Sequence, residues 1–230
     1  MSQNVRVTRG FLDIPEGQIH YRTAGDGPPL LIVHPHTYSS ELFAEVLLIL
    51  AAKYRVVAFD RMGHGLSDPI PESSRFIHEF NEPGDKGPTY PYDDDVRVIA
   101  HVMDALGLER SIILGQHGGA HMGIELAILH PERIEQLILI SIPDWSGEEE
   151  RARLRQTVID TFQNNKEMDG SHLTDEWTKK QAWASPSTTP EIMDRMVMLG
   201  LQSRRPWPHI AHEVIRHYYV ANRIPLLKVP

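Results

Sequence analysis

Cysteine is absent from this 230-residue chain, which excludes disulfides, thiolate metal sites and a cysteine nucleophile. Uninterrupted apolar runs are also short, and none approaches the roughly 18 residues that a membrane-spanning helix needs. Positive charge is in deficit, with 23 Lys and Arg against 31 Asp and Glu and a net charge of −8, which argues against nucleic acid as a partner.

These absences favour a globular protein with one large domain. The first 17 residues contain no apolar core of a secretory signal, and the lack of cysteine fits a reducing compartment, so we expect a cytoplasmic protein. The expected partner is a small-molecule substrate, and we expect the protein to bind neither nucleic acid nor membrane. The sequence leaves open whether the protein forms homo-oligomers.

Continuous apolar runs alternate with helical patterns through the first 143 residues. Short apolar stretches at 30–33, 55–59, 111–114 and 136–141 are typical of strands buried on both faces of a parallel sheet. An alternating hairpin is predicted over residues 5–23. The pattern therefore predicts an α/β fold, a mainly parallel sheet flanked by helices.

The character of the chain changes after Pro143. Helices are predicted over 148–162, 175–183, 191–201 and 209–222, with no convincing strand between them, and all four tryptophans lie in this half. We therefore predict a core over residues 1–143, a helical cap over 144–222, and the start of a return to the core sheet over 223–230.

The most informative stretch is residues 111–129, where a strand pattern meets a glycine-rich turn and then a helix pattern. Gly115 and Gly119 bracket His117 in the frame G-x-S-x-G, in which a nucleophile is held on a strained turn. The frame predicts a nucleophile elbow, but a histidine occupies the central position.

Four motifs in order give the chain a clear resemblance. They are His34-Pro35, the Asp-Arg-Met-Gly-His-Gly-Leu-Ser-Asp stretch at 60–68, the elbow at 115–119 and His-Pro-Glu-Arg at 130–133. Over residues 11–143 the chain resembles the α/β-hydrolase superfamily, in its cap-bearing branch of epoxide hydrolases, haloalkane dehalogenases and carbon–carbon hydrolases. The resemblance implies the α/β-hydrolase fold; reaction is a separate question, because one fold hosts many functions.

The chain departs from that family at its catalytic positions. Members place Ser, Asp or Cys at the elbow, an acid after the sixth or seventh strand and a histidine after the eighth. This sequence has His117 at the elbow and stops before the family's last two strands, so we expect a fragment of a longer protein. The acid candidates within it are Asp144, just past the sixth strand, and Asp60, at the end of the fourth.

Three hypotheses for His117 follow. In the first, it is the nucleophile or the general base, and the backbone N–H groups of Gly118 and His36 are the oxyanion donors that the resemblance implies. In the second, His34, His36 and His117 bind a metal with Asp60 or water. In the third, the pocket binds a small molecule or partner without catalysis. The sequence favours the first, a hydrolase of a small organic ester, lactone or amide that uses no metal and no organic cofactor.

The supporting histidines also have simpler interpretations. His34 matches a position that the family uses for structural hydrogen bonds, so a buried, satisfied ring is favoured over a ligand. His121 lies one helical turn after His117 and could orient it, but packing is the favoured role. The partner that fixes the His117 tautomer is expected to be Asp144 or an acid beyond residue 230.

Overall fold

Six strands form one mixed sheet in a computed structural model of the chain, which describes residues 5–70, 92–143, 167–182, 184–203 and 218–230. The strands are β1 (Thr8–Ile14), β2 (Gly17–Ala24), β3 (Pro29–Val33), β4 (Arg55–Phe59), β5 (Ser111–Gln116) and β6 (Ile134–Ile140). They lie in the order β1-β2-β4-β3-β5-β6. The β1–β2 and β2–β4 pairs are antiparallel and the other three are parallel, which confirms the predicted α/β sheet.

Helices cover both faces of the sheet because successive strand residues point to opposite sides. Leu31 and Val33 of β3 belong to the core beneath α2 (Asp93–Ala105) and α3 (Gly118–Leu129). Leu30 and Ile32 belong to the core on the other face, beneath α1 (Ala44–Leu50). All four side chains are buried, so the apolar run marks a strand covered on two sides.

The helix between β3 and β4 is short and begins with a tighter turn. A 3-10 turn over Ser40–Phe43 precedes α1, which ends at Leu50. The hydroxyl of Ser39 accepts from the Glu41 amide, and the Ser40 amide donates to the Asp60 carboxylate at 2.7 Å. These side-chain contacts fix the tighter first turn, and hydrophobic spacing alone does not reveal them.

Beyond residue 166 the described chain is helical, with α4 (Ser171–Ala182), α5 (Pro190–Leu201) and the short α6 (Val220–Arg223). Helices α4 and α5 pack against each other, and Arg195 of α5 pairs with Glu45 of α1 at 3.0 Å. The helix predicted over 148–162 lies outside the described residues, as does most of 209–222. The division into core and cap therefore stays a prediction.

The end of the chain contacts both α3 and β6. Glu125 of α3 is buried and accepts hydrogen bonds from the Arg223 guanidinium, at 2.7 Å from Nε, and from the Tyr218 hydroxyl at 2.6 Å. The Leu137 amide of β6 donates to the Pro230 carbonyl at 3.1 Å. Within the described ranges, no helix has the length and apolar character needed to cross a bilayer.

Candidate active site

His117 occupies a sharp turn between β5, which ends at Gln116, and α3, which begins at Gly118. Its backbone angles are φ 52° and ψ −121°, in the left-handed region that side-chain-bearing residues rarely adopt. The turn is secured by hydrogen bonds from the His117 amide to the Ile140 carbonyl, at 2.9 Å, and from the Ala120 amide to the His117 carbonyl, at 2.8 Å. Such strain costs about 1–3 kcal/mol and persists only where the surroundings enforce it.

Both glycines of the frame are required by close backbone contacts. A Cβ added at Gly115 would lie 2.4 Å from the Gly119 carbonyl oxygen, and one added at Gly119 would lie 2.1 Å from the Val33 carbonyl oxygen. Neither backbone oxygen can rotate away as a flexible side chain could. The turn therefore brings β3, β5 and α3 together more closely than any other residue type allows.

The imidazole of His117 is half-buried. Burial lowers its pKa below the ordinary value of 6.5, so the ring is neutral at neutral pH and has a free lone pair for a proton or a carbonyl carbon. Among the described residues, no side chain forms a hydrogen bond with this ring. The sequence-predicted acid partner is therefore not found in the described part of the chain.

His36 lies beside the elbow because β3 is the neighbour of β5. Val33 pairs with Gly115 in the parallel register, so the residues that follow each strand meet at the same edge of the sheet. A Cβ at Gly118 would lie 2.3 Å from Cδ2 and 2.4 Å from Nε2 of His36. The structure thus brings His36 to Gly118.

His34 is fully buried and both of its ring nitrogens are engaged. Nδ1 donates to the Pro35 carbonyl at 2.7 Å, and Nε2 accepts from the Arg61 amide at 3.0 Å. The ring therefore supports the loop after β3, and neither nitrogen is available to a metal or a substrate. Consistently, no group of three or more metal-ligating side chains occurs among the residues that the structure describes, so the three-histidine metal hypothesis has no support there.

The Asp60 side chain pairs with His20 and not with His117. Its buried carboxylate accepts hydrogen bonds from His20 Nδ1 at 2.9 Å, the Ser40 amide at 2.7 Å and the Leu66 amide at 2.9 Å. Burial would raise the pKa of Asp60, but these hydrogen bonds outweigh burial and lower it to about 2. The structure therefore does not bring Asp60 to His117 and gives it a structural role at the end of β4.

The low pKa of Asp60 should make the stability of the fold sensitive to acid. Because the pKa of Asp60 is about 2 in the folded protein and about 3.9 in an unfolded chain, its contribution is complete above pH 4 and is lost as the pH falls through 2. The difference corresponds to about 2 kcal/mol of unfolding free energy. Chemical denaturation between pH 5 and 2 should show that the wild type loses about 2 kcal/mol more unfolding free energy than Asp60→Asn does. If the unfolding free energy of Asp60→Asn fell with pH as steeply as that of the wild type, the assignment to Asp60 would be refuted. The matched control is Asp26→Asn, because Asp26 is exposed.

Asp144 lies outside the described residues, but Pro143 beside it is fixed by His121. The buried His121 ring donates from Nε2 to the Pro143 carbonyl at 2.8 Å and accepts at Nδ1 from the Tyr92 hydroxyl at 3.1 Å. Burial, with a smaller effect of the neighbouring His117, lowers the pKa of His121 to about 4 despite the bond to Pro143. His121 thus links α3 to the end of the segment after β6.

Sequence reasoning missed three residues at this edge of the sheet. His20 is the partner of Asp60, while Arg61 connects His36 to Asp95. Asp95 lies in the first turn of α2. The available signal was the charged Arg61 just after the apolar run at 55–59, because a guanidinium buried at that point requires an anionic partner.

Comparisons with known proteins agree with this architecture. Residues 28–183 match the family described as alpha/beta hydrolase fold. The chain is 30% identical over 138 residues to haloalkane dehalogenase 2 of Mycobacterium tuberculosis, covering 60% of the chain and 43% of that protein. It is 34% identical over 145 residues to 2-hydroxy-6-oxononadienedioate/2-hydroxy-6-oxononatrienedioate hydrolase 2 of Pseudomonas putida, covering 60% of the chain and 44% of that protein.

A solved structure shows the same fold over the full length of the chain. A hydrolase from Pseudomonas aeruginosa superposes with a TM-score of 0.70 at 20% sequence identity, covering 100% of this chain and 79% of the other. The chain therefore spans less than half the length of the curated relatives above and about four fifths of this structural neighbour.

Proposed function

The chain belongs to the alpha/beta hydrolase fold family, and on that premise we propose that it hydrolyses a small organic ester, lactone or amide, with His117 as nucleophile or general base. The relatives are named as a haloalkane dehalogenase and as a hydrolase of oxo-dienedioates, and both names describe attack on a small organic substrate. The proposal requires neither a metal nor an organic cofactor.

The observation behind the proposal is the strained backbone of His117. A left-handed φ of 52° at a residue with a Cβ is retained where the surroundings hold that side chain in one place. Glycine would adopt the same angles without strain. A histidine at this position therefore points to a role for the imidazole itself.

A neutral imidazole at the turn can act in two ways. As general base, it takes a proton from water while the water oxygen attacks the carbonyl carbon, and the imidazolium returns the proton to the leaving alcohol or amine. As nucleophile, Nε2 or Nδ1 attacks the carbonyl and expels the leaving group, and water then hydrolyses the acyl-imidazole. Both routes form a tetrahedral oxyanion.

Two backbone amides are proposed as donors to that oxyanion. Gly118 is the first residue of α3, and the first N–H groups of a helix have no acceptor within the helix. The His36 amide belongs to the loop after β3 that approaches Gly118. Asp144, or an acid outside this sequence, is proposed to orient the His117 ring.

The direct test is turnover of activated esters, lactones and anilides by the purified protein, followed by mass spectrometry in the presence of hydroxylamine. Hydrolysis with hydroxamate formed at the expense of acid indicates the acyl-imidazole route, and hydrolysis without trapping indicates general base catalysis. A protein that binds these compounds but converts none of them would overturn the proposal in favour of a catalytically silent binding protein.

The pH dependence should follow His117. Because burial lowers the pKa of this imidazole below 6.5, kcat/KM is expected to rise with pH through a midpoint below 6.5 and to stay level above it. The measurement is kcat/KM on one ester between pH 4.5 and 8, with the fold checked by circular dichroism at each pH. A midpoint above 6.5 would assign the titration to another group.

A further inference from the structure

The side chain of His36 lies against the first residue of α3. Its ring is almost fully buried, and the ring atoms Cδ2 and Nε2 occupy the space that a side chain on Gly118 would need. Any oxyanion bound by the Gly118 amide would therefore form next to this imidazole. The chemistry of the ring depends on which nitrogen bears the hydrogen.

Arg61 determines that choice. Its Nη1 lies 3.2 Å from His36 Nδ1, and a guanidinium can only donate, so Nδ1 accepts and the ring hydrogen is on Nε2. Protonation of Nδ1 would set two donors against each other. The contact therefore selects the tautomer whose N–H is on the side of Gly118.

Asp95 holds Arg61 in place. The Nη2 atom of Arg61 donates to Asp95 Oδ1 at 3.0 Å, and the exposed fractions of these residues are only 1% and 9%. A buried, charge-assisted pair of this kind has a well-defined geometry. Asp95, in the first turn of α2, thus holds Arg61 in place. Arg61 in turn holds the His36 ring, which lies against Gly118, the first residue of α3.

We propose that the Asp95–Arg61 pair is a positioning device that presents His36 Nε2–H to the substrate, so that this side chain donates to the acyl oxygen as it becomes an oxyanion. This inference rests on the proposed function, since it assigns a further donor to the same site. It names a side-chain donor in addition to the backbone amides of His36 and Gly118.

The tautomer can be tested without any substrate. Two-bond ¹H–¹⁵N correlation spectra of the imidazole nitrogens distinguish the Nε2–H from the Nδ1–H form, and His36→Gln identifies the His36 signals by their loss. The expected form is Nε2–H in the wild type. An Nδ1–H ring would overturn the proposal whether or not the protein hydrolyses esters.

The donor role can be tested with an oxyanion probe and a matched pair of variants. Glutamine can accept from Arg61 through Oε1 and donate through Nε2, whereas phenylalanine fills the space without donating. Titration with a phenylphosphonate monoester, a stable tetrahedral anion, should show His36→Phe binding on the order of tenfold to a hundredfold more weakly and His36→Gln close to the wild type. On an ester that is turned over, kcat should fall by a similar factor in His36→Phe with KM unchanged.

The positioning pair has its own control. Removing both partners in Arg61→Met/Asp95→Leu leaves no unpaired buried charge, and the same change at another ion pair, Arg22→Met/Glu41→Leu, does not touch His36. We expect mixed His36 tautomers and weakened phosphonate binding in the first double variant only. Equal phosphonate binding by wild type, His36→Phe and the Arg61/Asp95 variant would overturn the proposal, as would no binding by the wild type. Absence of ester turnover with the expected binding pattern would overturn only the proposed function.

Discussion

Replacing His117 with alanine should lower the hydrolysis rate by about a hundredfold or more, because the substitution removes the nucleophile or base and leaves the oxyanion donors in place. General acid–base groups contribute about 10²–10⁴ in rate, so the remaining activity should fall close to what the donors alone provide. The measurement is kcat/KM for wild type and variant on one substrate, prepared identically.

The fold should survive this change. The His117 ring is half-buried and has no side-chain hydrogen bond among the described residues, so its loss breaks no hydrogen bond there. His117→Gly should even raise the unfolding free energy by up to about 1 kcal/mol, because glycine adopts φ 52° without strain. A variant that is more stable but far slower would separate the catalytic role from the structural one.

The matched control is a histidine at the other end of α3. His130 immediately follows the helix, its side chain is 39% exposed, and within the described part of the chain it pairs at the surface with Glu132 at 3.6 Å. His130→Ala should leave the rate unchanged. If His117→Ala also retained the wild-type rate, the elbow would be a relic of the fold and the active group would have to be sought elsewhere.

The sequence was sufficient to locate the strands that precede His36 and His117. Strands buried on both faces must be apolar throughout, so β3, β4 and β5 could be located from composition alone. The structure shows their order, β4-β3-β5, and the parallel register places the residue after each strand at one edge. The conformation of His117 followed from the frame of glycines around it.

The hydrogen-bond partners of the buried polar groups could not be predicted in this way. Asp60 pairs with His20, 40 residues earlier, because β2 lies antiparallel to β4 and brings that histidine beneath the carboxylate. Asp95, in the first turn of α2, likewise pairs with Arg61, which lies 34 residues earlier in the chain. Such pairings depend on side-chain direction in three dimensions, and spacing along the chain contains no information about them.

Replacing Gly119 with alanine should destabilise the protein severely. The added Cβ would lie 2.1 Å from the Val33 carbonyl oxygen and 2.8 Å from its carbon, and both are backbone atoms of β3. The start of α3 would have to move away from the central strand of the sheet, so we expect a loss of more than about 3 kcal/mol of unfolding free energy, or failure to fold.

Gly123 provides the comparison that makes this prediction specific. It lies one turn further along α3, where an added Cβ would meet the flexible side chain of Leu137 at 3.2 Å. Alanine is favoured over glycine inside a helix by about 1 kcal/mol, so Gly123→Ala should remain within about 1 kcal/mol of the wild type. Urea denaturation of both variants measures the difference. If Gly119→Ala were as stable as Gly123→Ala, α3 and β3 would not be in the close contact that holds His117 in its strained turn.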